Sequence, residues 1–138
     1  MDLIEFETSI ETLSPDECQR LLDSETTGRV AFADGDFPTI LPVNYVHVDG
    51  LVVFRTDAGA KLERVPMQPV AFEIDGRTDR YAWSVVIHGH AREVTTALGA
   101  RYEALRSAEI PIVASGGKLH WIAIEITAMS GRCFADRS

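Results

Sequence analysis

The chain has 138 residues, 46% of them hydrophobic and 25% charged, with a formal net charge of −8. That length predicts a single domain spanning 1–138 around one core, and the composition is that of a globular chain, not a disordered one. The acidic balance argues against broad attraction to nucleic acid or an anionic membrane, so any anion site has to be local and built from a few basic residues.

The first segment, MDLIEFETSIETL, is acidic and lacks a basic start followed by an apolar core, so no signal peptide is expected. No apolar run approaches the roughly 20 residues needed to span a bilayer. Cys18 and Cys133 stand far apart with no CxxC partner and no matched histidine spacing. They read as buried or incidental thiols of a cytoplasmic protein, and no structural metal is expected.

SPDECQRLLDS (14–24) carries a helix start. Ser14 caps, Pro15 suits the first turn, and Glu17 completes a capping box. Leu13 and Cys18 stand where a hydrophobic staple closes, and Cys18, Leu21 and Leu22 form one apolar face. After Gly28 the texture changes to short strands separated by turn pairs. RVAFA (29–33) meets Asp34-Gly35, TILPVNYVHV (39–48) meets Asp49-Gly50, and LVVFRT (51–56) follows at once. Asp-Gly between apolar runs is a strong hairpin signal, which predicts an antiparallel meander.

KLERV (61–65) reads as a short helix ended by Pro66, and PVAFEID (69–75) as the fourth strand. YAWSVVIHGHAREV (81–94) is long enough for a bent fifth strand, with Gly89 as the kink. TTALGARYEALRSA (95–108) has helical spacing, and HWIAIEIT (120–127) alternates as a half-buried last strand. The fold class is therefore mainly β: a small closed barrel of six antiparallel strands with two to three short helices.

FRTDAGAKL (54–62) puts a cation, a hydroxyl, small residues and a second cation where a strand ends and a helix begins. One reading is a solvated turn. The other is a phosphate cradle, in which Arg55 grips two oxygens, Thr56 donates its hydroxyl and Lys61 stands in the first helical turn. Lysine is unfavourable at the positive end of a helix dipole unless an anion compensates it.

In TILPVNYV, Pro42 cannot donate to a ladder and marks an edge or a break in pairing. Asn44 shares a face with Ile40 and Val46, an amide among apolar neighbours. Such an amide either satisfies backbone groups or reads the polar edge of a flat ligand. His88 and His90 lie two apart on one strand, but nothing follows at metal-ligand spacing. Trp83 and Trp121 are either core aromatics or stacking partners for a flat heteroaromatic ring. No Gly-x-Ser-x-Gly elbow, Walker loop or GxGxxG occurs, so hydrolase, P-loop and Rossmann chemistry have no support.

Taken in order, LPVNYV, DGLVVFRT, G-x-KL, PVAFEID and WSVVIHGHA resemble the pyridoxamine 5′-phosphate oxidase-like superfamily, over about residues 12–128. The chain is similar to its small actinobacterial-type flavin or deazaflavin branch. The resemblance implies a split β-barrel homodimer with FMN bound at the subunit interface, and a flavin-dependent oxidoreductase acting on a small molecule. By position, Arg55, Thr56, Lys61 and the backbone at Leu62 match the family's FMN phosphate-binding turn. Pro42, Val43 and Asn44 match the strand along the isoalloxazine ring, and Trp83 and Ser84 the segment bordering it. Trp121 resembles an aromatic that in relatives reaches the partner subunit's flavin.

The chain departs from true pyridoxamine phosphate oxidases by being much shorter. It ends in GRCFADRS in place of their arginine- and histidine-bearing substrate segment, which counts against vitamin B6 oxidation. No catalytic residue is singled out; Tyr45, His88 and His90 are candidate proton donors. The alternatives are a deazaflavin cofactor, or a non-catalytic protein that binds flavin or haem.

Overall fold

In a computed structural model that describes residues 10–56, 67–94 and 120–135, the helix signal at Ser14 takes the expected form. The Glu17 backbone N–H donates to the Ser14 hydroxyl at 3.2 Å and the Ser14 N–H donates back to the Glu17 carboxylate at 3.1 Å. These hydrogen bonds hold the Glu17 carboxyl below its ordinary pKa. Helix α1 runs Pro15–Ser24 and buries Cys18 and Leu22. Burial pushes the Cys18 thiol up, leaving it a packed, unreactive group.

The strands are β1 (Ile10–Thr12), β2 (Thr27–Asp34), β3 (Phe37–Val48), β4 (Leu51–Thr56), β5 (Gln68–Arg77), β6 (Tyr81–Glu93) and β7 (His120–Ala135). β2, β3 and β4 form the expected meander. Its second turn has Asp49 at φ 53° and Gly50 at φ 71°, the double positive φ of a type I′ hairpin. Around the sheet the order is β7-β4-β3-β2-β5-β6, and β6 pairs back onto β7 to close a six-stranded ring. The kink expected at Gly89 is a register shift between His88 and Gly89 in this closing seam.

Two features lie beyond the sequence-based expectation. β7 continues past Thr127 to Ala135, where it pairs with the first half of β6 and with β1, a three-residue strand not foreseen. Gly131 makes the extension possible. A Cβ there would come within 2.7 Å of the Cys18 sulfur and 2.9 Å of Leu13, so its bareness lets α1 settle on β7. The helices expected at 61–65 and 95–108 lie outside the described residues.

Alternation sorts the faces. Val30, Val43, Tyr45, Phe54, Phe72, Ile74, Ile87 and Ile122 fill the barrel, each worth roughly 1.5–3 kcal/mol of burial. Leu51, Val53 and Ala123, on the opposite face, form a second, smaller apolar cluster with Val46, Val48 and Trp121. The ring is not evenly knit. β4 pairs with β3 only from Tyr45 to Val48, while β3 pairs with β2 back to Phe37. Pro42 lies in the stretch that pairs with β2 alone, which is where a residue without an N–H is tolerated.

Tyr45 joins helix to barrel. Its hydroxyl donates to the Leu22 carbonyl at 2.6 Å, and its ring meets Phe72 edge-on at 5.0 Å. Burial pushes the phenol above its ordinary value, reinforced by Glu25 and Asp23. A folded pKa above the unfolded value of about 10 adds stability below that pH. This stability is lost as pH rises further, because only the unfolded chain then releases the proton. Tyr45→Phe should cost about 1–2 kcal/mol at neutral pH. It should also flatten the loss of stability above pH 10, as urea titrations across that range would show.

Candidate ligand-binding site

The outer face where β4 ends gathers the polar groups of interest. Phe54 points into the core, so Arg55 points outward, and the ladder sets it opposite Trp121 of β7. The Arg55 guanidinium carbon stands 5.2 Å from the centroid of the Trp121 ring. The Arg55 Nε is buried and, among the described residues, has no hydrogen-bond partner. A buried donor without a partner is rare in a folded chain, and it marks a place where an acceptor fits. Thr56 ends β4, paired with His120; Lys61 and Leu62 lie outside the described residues.

Because Tyr45 faces the core, Asn44, one step along the strand, falls on the outer face, where its ladder partner is Thr27. The expectation of an amide among buried apolar neighbours is corrected here. Asn44 is exposed, and its row-mate Ile40 is 65% exposed. The core side of β3 belongs instead to Val43 and Tyr45. The Thr27 hydroxyl donates to the Asn44 side-chain oxygen at 3.0 Å, which leaves the amide nitrogen with no described partner. Pro42 is exposed on the same row, whereas the Val43 side chain is in the core and offers a ligand only its backbone. Tyr45, with its hydroxyl committed to Leu22, faces away from this surface.

Trp83 and Ser84 are not brought to this cluster within one chain, because β2 and β5 separate their strand from β3 and their partners on β7 are Cys133 and Arg132, at the far end from Trp121. Trp83 packs against the core and covers Gly76, where a Cβ would come within 2.5 Å of the indole. Ser84 is half-buried between Asp75 and Arg132 in the ladder. His88 and His90 flank a separate open groove of about 480 Å³, floored by Ala31, Ala33 and Ala71. Among the described residues, no three histidine, cysteine or acidic side chains are grouped to hold a metal.

Sequence reasoning passed over Thr27 and Arg29. Arg29, the ladder partner of Pro42, reaches Glu73 at 2.6 Å and Asp75 at 2.7 Å, and these bonds raise its pKa. Both residues sit in a strand that gives no local site signal. Only the ladder reveals that they border β3.

A six-stranded ring in which, among the described residues, β4 pairs with β3 only over Tyr45–Val48, and with a cation at the end of β4, is a split β-barrel. The chain belongs to the pyridoxamine 5′-phosphate oxidase family, whose model matches residues 14–133. It is similar to the solved structure of an FAD-binding protein from Mycobacterium smegmatis, with 34% identity and a TM-score of 0.71 over 91% of this chain and 98% of that one. A Corynebacterium glutamicum protein provisionally named as a pyridoxamine 5′-phosphate oxidase superposes with a TM-score of 0.77 at 28% identity, covering 94% and 96% of the two chains. An uncharacterized Mycobacterium tuberculosis protein is 41% identical over 91 residues, 60% of this chain and 60% of its own length. No helix among the described residues is long and apolar enough to cross a membrane.

Proposed function

We propose that the chain binds FMN and serves as a flavin-dependent oxidoreductase for a small molecule. The carrying observation is the Arg55 guanidinium at the end of β4, with a buried Nε that lacks an acceptor among the described residues. It stands in the stretch that resembles the family's phosphate-binding segment. Arg55 would hold the flavin 5′-phosphate, with Thr56, Lys61 and the Leu62 backbone completing the cradle. The exposed row of Pro42 and Asn44 would lie along the ring. The Mycobacterium smegmatis relative, described as FAD-binding, supports a flavin, and FAD contains the same riboflavin 5′-phosphate unit. When bound, the flavin supplies the redox chemistry, and the protein orients it and excludes water.

The site is proposed to be completed in a homodimer. Phe37 is 80% exposed, and with Ile40 it lies on the stretch of β3 that β4 leaves uncovered. A strand edge that no described residue covers, with apolar side chains, calls for cover, and a second copy would bring its own β6, with Trp83 and Ser84, towards the ring. Fluorescence-quenching titration with FMN and with a deazaflavin, followed by sedimentation of the FMN-bound protein, tests the reading. Tight FMN binding to a dimer supports it. Preference for the deazaflavin would reassign the cofactor, and an FMN-bound monomer would refute the shared site.

A further inference from the structure

We infer that Trp121 is a positioning residue that acts through Arg55 of its own chain. This inference rests on the reading of Arg55 as the phosphate ligand. The family resemblance casts Trp121 as an aromatic that reaches the partner subunit's flavin, but the geometry gives it another task. The two residues are direct ladder partners on the outer face, with the guanidinium carbon 5.2 Å from the indole centroid. An arginine at a strand end is long and rotamer-rich, and it loses that freedom when it grips a phosphate. A tryptophan ring beneath it offers the strongest of the cation–π surfaces, so part of that ordering is done before the ligand arrives.

The ring is itself fixed. Trp121 is half-buried against the outer apolar cluster of Val46, Val48, Leu51, Val53 and Ala123. The order of dependence is thus apolar cluster, indole, guanidinium, phosphate. The buried Nε fits the same scheme, because the fork held over the ring keeps in place a donor that no described residue satisfies. A ring whose role is to stack on the flavin would affect every flavin alike. A ring that acts through Arg55 affects only flavins that carry a phosphate.

The test titrates wild type, Trp121→Leu, Trp121→Phe, Arg55→Ala and the Arg55→Ala/Trp121→Leu double variant with FMN and with riboflavin. Trp121→Leu should weaken FMN about five- to tenfold, the scale of a partly desolvated cation–π contact, and leave riboflavin unchanged. Trp121→Phe should restore most of the loss, and the double variant should be no weaker than Arg55→Ala alone. Equal losses for FMN and riboflavin, or additive losses in the double variant, would overturn the inference while leaving flavin binding intact. If circular dichroism shows Trp121→Leu unfolded, Trp121→Phe decides alone, by a smaller loss for FMN only or by none. Wild-type protein that binds neither flavin overturns the functional reading and this inference with it.

Discussion

Arg55→Ala should weaken FMN by about 1.5–3 kcal/mol, the range of a charge-assisted hydrogen bond, or roughly ten- to a hundredfold in Kd. The chain carries a net charge of −8, so the surrounding field repels an anion and the local cation has to overcome it. The guanidinium is half-buried and braced by Trp121, so little of its interaction is spent on ordering the side chain. Folding should hardly notice the change, because the substitution also removes a buried donor that has no partner among the described residues. Riboflavin, which lacks the phosphate, should bind the variant and the wild type alike. Isothermal titration with both ligands reads the two effects together. Unchanged FMN affinity would return this strand end to an ordinary solvated turn.

The second large effect falls on the closing seam. Gly89→Ala places a methyl group on the Glu125 carbonyl oxygen and within 2.9 Å of an Ile124 methyl. The obstacle is backbone in a paired strand, so no rotamer change relieves it. β6 and β7 have to move apart beside the bulge at His88/Gly89, where their pairing closes the ring. Overpacking of this kind should cost about 3 kcal/mol or more and lower the melting temperature by roughly 10 °C. Gly35→Ala gives the contrast. Gly35 has open space around it but a φ of 65°, so only the left-handed strain of about 1 kcal/mol applies. Similar melting temperatures for the two variants would contradict the seam geometry.

What could be read from sequence divides along local and non-local lines. The capping box at Ser14 and the Asp49-Gly50 turn are set by neighbours within three or four residues, and both have the expected geometry. The short β1 and the last half of β7 were hidden because Ile10–Thr12 finds its partners only at Arg132–Phe134. Nothing in either stretch alternates strongly enough to announce a strand.

Asn44 shows a different limit. Alternation divides β3 into two faces, but Ile40 and Val46 are apolar like Val43, and period two does not say which face is inside. Arg55 was legible as a strand-end cation. Its stacking on Trp121 was not, because the register of β4 against β7 belongs to the closed barrel and not to either segment. The cover that Trp83 gives Gly76 depends in the same way on the β5–β6 register.

The claim that the outer face at the end of β4 is a flavin site is tested most directly by one visible spectrum. The purified protein is mixed with FMN, passed through a desalting column and scanned. A yellow protein is expected, one that keeps the two-banded absorption of oxidised flavin and releases FMN, identified by mass, on denaturation. A colourless protein, with all of the FMN in the salt fraction, would contradict it.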